Sequence, residues 1–69
     1  MNNLFPKRLR SLMNAKNINQ VELSKAISVK QSTVCSWLSG KKSPRISTLY
    51  KIADFFDVSI DYIIGRKNL

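Results

Sequence analysis

The sequence predicts an all-α fold: one small domain built from five short helices. Three observations carry this. Apolar residues recur at helical spacing along almost the whole chain, and no stretch alternates with the period of a strand. Only two Gly and two Pro occur in 69 residues, which disfavours a turn-rich β architecture. Polar residues that cap helices stand just before the apolar runs. A chain of this size buries only about 60% of its unfolded surface, so a single domain with little stability to spare is expected.

The first helix is predicted over residues 4–16. Phe5, Leu9, Leu12 and Met13 share one stripe, and Pro6 falls in the first turn, where its missing N–H costs nothing. The second helix opens at Asn19 as N-cap, with Glu22 three residues on as in a capping box. Ile18 before the cap is spaced to staple against Leu23, and the helix ends near Ile27. Ser28-Val29 forms a turn. A third helix runs from Lys30 or Gln31 to Leu38 and stops at Ser39-Gly40, where glycine takes a left-handed conformation without cost. Val34, Trp37 and Leu38 face inward; Gln31, Ser32 and Ser36 share an outward polar face.

Lys41-Lys42-Ser43-Pro44 is a basic loop. The fourth helix spans Arg45 to Phe56, with Ile46, Leu49, Ile52, Ala53 and Phe56 on the face expected to be buried. The fifth starts at Ser59 as cap, carries Asp61 in its first turn, pairs Val58 with Ile63 as a staple, and ends at Gly65. The domain is expected to cover residues 1–65, with 66–69 as a short basic tail.

Twelve Lys or Arg against four Asp or Glu give a net charge of +8. The excess is one-sided. Up to Arg45 the only acid is Glu22; beyond it Lys51, Arg66 and Lys67 are balanced by Asp54, Asp57 and Asp61. Such a field is the electrostatic footprint of a phosphate-binding protein. A lone cysteine, Cys35, excludes an internal disulfide and suits a reducing compartment. It is expected to be partly buried beside the polar face of the third helix. No apolar run approaches a membrane span or a signal-peptide core. The expected location is the cytoplasm.

Catalysis has little to work with. The sequence has no His, no metal-ligand spacing and no Gly-rich phosphate loop. No enzyme activity, metal or cofactor is expected.

Gln20, Leu23, Ser24, Val29, Val34, Trp37, Gly40, Pro44, Leu49, Ile52 and Ala53 together resemble the phage repressor and Cro-like (Xre-type) helix-turn-helix proteins. The resemblance runs from about Leu9 to Gly65. It implies a lambda-repressor-like DNA-binding domain whose helix-turn-helix is made by the second and third helices, the third lying in the major groove. Carried over position by position, Gln31, Ser32 and Ser36 read bases, with Thr33 a base or phosphate contact. A glutamine amide bonds adenine N6 and N7 at once, so Gln31 implies an A·T pair near the outer end of each half-site. Gln20, with Asn19 and Lys30 at the helix starts, is expected on phosphates. In relatives with both glutamines, the Gln20 side chain also orients Gln31. Ser39, Lys41, Lys42 and Arg45 are expected on the backbone, positioning without reading sequence. Lys7, Arg8 and Arg10 on the first helix are weaker candidates for the same role.

The resemblance further implies a transcriptional repressor of phage, prophage or mobile-element type. Its partner is a double-stranded, palindromic operator, bound by a homodimer that is weak in solution and stronger on DNA. Ile60, Tyr62, Ile63 and Ile64 offer more apolar surface than a terminal helix needs, and are the candidate dimer interface. An antitoxin with a protein partner, or a protein-interaction module without DNA, are the alternatives. Three positions depart from the family. Ser28 and Lys30 stand where relatives often have Gly and a Ser or Thr cap. Met13 and Leu38 replace an Arg–Glu ion pair, and are expected to pack on each other.

Overall fold

A computed structural model describes residues 4–65; the predicted tail, 66–69, lies outside them. The elements are α1 (Phe5–Lys16), α2 (Gln20–Ala26), α3 (Gln31–Leu38), α4 (Ile46–Phe56) and α5 (Ile60–Ile63). Each helix contributes one side chain with no exposed surface: Leu9, Leu23, Val34, Ile52 and Ile63. None of these short helices would be stable alone. Their shared core stabilises them, each fully buried aliphatic side chain by roughly 1.5–3 kcal/mol. Phe5, Met13, Ile27, Trp37, Ala53 and Phe56 complete the buried cluster. Trp37 meets Phe5 edge to face, with centroids 6.1 Å apart. Among the described residues no helix is long and apolar enough to cross a membrane.

The helix starts follow the sequence closely. Asn19 caps α2 through a full capping box: its side-chain oxygen accepts from the Glu22 N–H at 2.8 Å, and the Glu22 carboxylate accepts from the Asn19 N–H at 2.9 Å. Ser59 caps α5 by accepting from the Tyr62 N–H. Pro6 stands in the first turn of α1.

Four helix ends share one device. After α1, α2, α3 and α4 the chain passes through a left-handed residue, namely Asn17, Ser28, Gly40 and Asp57. In each case the next N–H reaches back five residues: Ile18 to Met13, Val29 to Ser24, Lys41 to Ser36 and Val58 to Ala53. This is the Schellman arrangement, which satisfies carbonyls the helix would otherwise leave free. Ser28, at φ 60, holds the left-handed conformation for which relatives often use glycine, at some cost to a residue with a Cβ.

Two expectations about burial are corrected. Ile46 is not on the buried face of α4; it is 61% exposed, because it occupies the first turn, beyond the reach of the other helices. Cys35 is exposed rather than partly buried.

Candidate nucleic-acid interface

The site is built from the α2–turn–α3 unit outward. Leu23 on α2 and Val34 and Trp37 on α3 lock the two helices against the core. Ser24 is buried between them, its hydroxyl donating to the Val21 carbonyl at 2.7 Å. A small residue that satisfies its own hydroxyl lets the two backbones approach. The turn then sets the angle at which α3 leaves the body, through the left-handed Ser28 and the bond from the Val29 N–H to the Ser24 carbonyl.

Lys30 is the N-cap of α3, in extended conformation and with no side-chain cap. It therefore lies at the cap and not outside it. The first N–H groups of a helix have no partner within it. At α3 no side chain supplies one, so this helix end carries open donors, the positive end of the dipole and a lysine together. Gln31 and Ser32 follow at once and are both exposed.

Further along α3 the outward strip continues through the exposed Cys35, the half-buried Ser36 and the exposed Ser39. The Ser36 hydroxyl donates to the Ser32 carbonyl at 3.0 Å, and the Ser39 hydroxyl to the Ser36 carbonyl at 3.1 Å. Both protons are thus directed along the helix, leaving oxygen lone pairs outward. That suits Ser36 as an acceptor facing a base amino group. It is a poorer arrangement for Ser39 as a phosphate contact, because a phosphate only accepts.

The basic loop is anchored where α3 ends. The Lys41 and Lys42 N–H groups both donate to the Ser36 carbonyl, at 3.0 and 3.3 Å, after Gly40 turns the chain at φ 81. Both lysine side chains are left exposed. Thr33, Lys42 and Arg45 line one cleft of about 250 Å³ between α3 and the start of α4. Arg45 is itself the N-cap of α4, again without a side-chain cap.

On the other side of the motif, Gln20 and Asn19 line a cleft of about 220 Å³ with Arg10, Met13 and Leu38. Met13 and Leu38 thus share one surface where relatives carry an ion pair. Among the described residues, neither Gln20 nor Gln31 forms a side-chain hydrogen bond, so the two glutamines are not coupled in the free protein.

Some sequence candidates are placed elsewhere. Arg8 stacks over the Tyr62 ring at 4.4 Å and donates to the Tyr62 carbonyl at 3.4 Å, tying α1 to α5. That removes it from the candidate phosphate contacts. Of the proposed dimer residues, Ile63 is fully buried in the core and offers nothing to a partner. Ile60 and Tyr62 pack against the core, and Ile64 is half-buried. Three of the four thus keep part of their surface open to solvent. Among the described residues, the exposed large apolar side chains are Val21, Ile46 and Tyr50. Sequence reasoning did not single out Tyr50, although its place four residues after Ile46 was legible.

A short α2, a left-handed turn and an α3 with a polar, solvent-facing strip define a helix-turn-helix module on a five-helix body. Known proteins agree. A helix-turn-helix family model matches residues 9–63, and the chain belongs to that family. It is 32% identical over 65 residues to the HTH-type transcriptional activator BcrR of Enterococcus faecalis, a match covering 94% of this chain and 32% of BcrR. It is 30% identical over 62 residues to the cryptic phage CTXphi transcriptional repressor RstR of Vibrio cholerae, covering 90% of this chain and 56% of RstR. Among solved structures, the DNA-binding domain of the P22 C2 repressor superposes with a TM-score of 0.82 at 23% identity, over 99% of this chain and 96% of that one. At that identity the likeness shows the fold, which is of the lambda-repressor type. The chain spans between about a third and just over half the length of the two curated relatives.

Proposed function

We propose that the protein is a sequence-specific double-stranded DNA-binding transcriptional regulator of the phage-repressor type, acting from the cytoplasm on a palindromic operator. One observation carries the reading: the uncapped, lysine-bearing N-terminus of α3 places exposed Gln31 and Ser32 at a positive helix end. α3 enters the major groove with that end leading. Gln31 bonds adenine N6 and N7. Ser32, Ser36 and Thr33 complete the reading strip. Gln20, Asn19, Lys30, Lys41, Lys42 and Arg45 hold phosphates on either side and fix its register; Ser39 joins them only if its hydroxyl turns from the Ser36 carbonyl. Two copies bind the two half-sites.

Selection of bound duplexes from a random pool tests this. The expected result is a palindrome with half-sites about one helical turn, roughly 34 Å, apart, and an A·T preference that relaxes in Gln31→Ala. Recovery of no preferred sequence, with binding indifferent to salt, would overturn the proposal.

A further inference from the structure

The cleft between α1 and the start of α2, about 220 Å³ in volume, gathers hydrogen-bond donors and no acids. Arg10 and Asn14 line it from α1, and Asn19 and Gln20 from the start of α2, over an apolar floor that includes Met13 and Leu38. Arg10 is exposed, and among the described residues its guanidinium has no hydrogen-bond, ion-pair or ring partner. All its N–H donors are thus open. Asn19 adds a directed donor: its side-chain oxygen accepts from the Glu22 N–H, so its amino group is the end left for a ligand. Among the described residues no carboxylate lines this cleft. Glu22, the one acid before Arg45, keeps its carboxylate on the Asn19 N–H at 2.9 Å. The cleft between α4 and α5 is the opposite case, with Asp54, Asp57 and Asp61 on its rim.

Two chemical features narrow the ligand. Each polar side chain that lines the cleft can donate, and the one charge is a guanidinium, whose planar fork matches two oxygens of a phosphate at once. An apolar floor stands where water would otherwise lie, which strengthens the attraction of the fork for an anion. We propose that this cleft is a subsite for a backbone phosphate and that Arg10 is its clamp, holding one phosphate of each half-site bidentately with Asn19 and Gln20 beside it. The clamp positions α3 and reads no base. Lys41 and Lys42, beyond the far end of α3, are point charges on flexible stems and hold a phosphate without a fixed geometry. Arg10 instead stands on α1 between the buried Leu9 and Met13, so its bond ties the DNA to the rigid body of the domain. The inference rests on the DNA-binding reading and adds to it the residue that sets how α3 is seated in the groove.

Single methylphosphonates, each neutralising one phosphate, walked along a selected operator test this on the whole chain. The wild-type protein is expected to lose roughly tenfold or more in affinity at one phosphate per half-site, beside the bases that α3 reads. Arg10→Ala is expected to lose as much on the unmodified operator, to flatten the salt slope by about 0.9, and to lose nothing further when that phosphate is neutralised. Lys41→Ala is expected to stay sensitive to it. Arg10→Lys is expected to keep the salt slope and still bind more weakly than wild type, because an ammonium lacks the fork that bonds two oxygens. All three variants are expected to keep the wild-type Tm, since both positions are exposed. Additive losses at every phosphate, or an Arg10→Lys protein that binds as tightly as wild type, would overturn the clamp and leave the DNA-binding reading standing. No binding to any duplex would overturn both. Inorganic phosphate offers the same oxygens. Side-chain amide shifts of Asn14 and Gln20 that saturate with millimolar phosphate, and not with chloride at equal ionic strength, in a protein whose DNA affinity is indifferent to Arg10→Ala, would assign the cleft to a free anion and overturn the clamp on DNA.

Discussion

Two single residues bear disproportionately on how α3 is held, and both are unusual choices. Ser28 sits at φ 60, where a Cβ costs roughly 1–2 kcal/mol relative to glycine. Ser28→Gly is therefore expected to stabilise the fold by about 1 kcal/mol, raising Tm by about 4–8 °C for a domain of this size. Thermal unfolding followed by circular dichroism measures it, and an unchanged or lower Tm would mean that the turn is not strained. Lys30 presents the opposite trade. It neither caps α3 nor suits the positive helix end. Lys30→Ser is expected to add about 1 kcal/mol of stability through a proper cap, yet to weaken binding to every duplex. A variant that gained stability without losing affinity would remove Lys30 from the phosphate contacts. Gln31→Ala should behave differently again, losing about 1–3 kcal/mol on the preferred site and little elsewhere.

The helices themselves were largely legible, because their starts are written in side-chain chemistry. Asn19 with Glu22, and Ser59, form the caps their identities suggest. The ends were less so. Asn17 and Asp57 hold left-handed backbone, and the available signal was an Asn or Asp directly before an apolar residue, here Ile18 and Val58. Periodicity also misplaced Ile46. Spacing gives the side of a helix that faces the core, but not whether neighbouring helices extend far enough to cover that turn. The same limit applies to α5, where Ile63 is used by the core while Ile60, Tyr62 and Ile64 are only half-buried. Element ends are also where the chain closes on itself. Gly65 terminates α5 at φ 86, and a Cβ there would come within 2.7 Å of the Leu4 side chain, at the start of α1. Gly65→Ala is thus expected to cost more than about 1 kcal/mol, through strained backbone and displacement of Leu4 together. A denaturant midpoint shifted by less would indicate that Leu4 moves aside freely.

Across the whole molecule, two groups of basic residues differ in a way that composition alone could not show. Arg8 lies over Tyr62, and Lys16 over Phe55 with its ammonium 5.1 Å from the ring centroid. Both spend their charge fastening α1 to α5 and α4. Lys30, Lys41 and Lys42 stand exposed at the two ends of α3 and are stacked on nothing. The acids Asp54, Asp57 and Asp61 gather at the α4–α5 cleft, so the positive field is concentrated around the motif. Net charge sets the solubility and encounter rate of such a protein, but only cations that displace counterions from phosphates enter the salt dependence of binding. The two populations should therefore separate in one experiment. With log affinity plotted against log salt, Lys41→Ala and Lys42→Ala are each expected to flatten the slope by about 0.9 and to weaken all sequences alike. Arg8→Ala, which removes the same formal charge, should leave the slope unchanged and lower Tm by loosening α1 from α5, since a stacked cation contributes about 0.5–1 kcal/mol even when exposed. Equal slopes for all three variants would mean that the field acts as a whole and that no lysine beside α3 meets a particular phosphate.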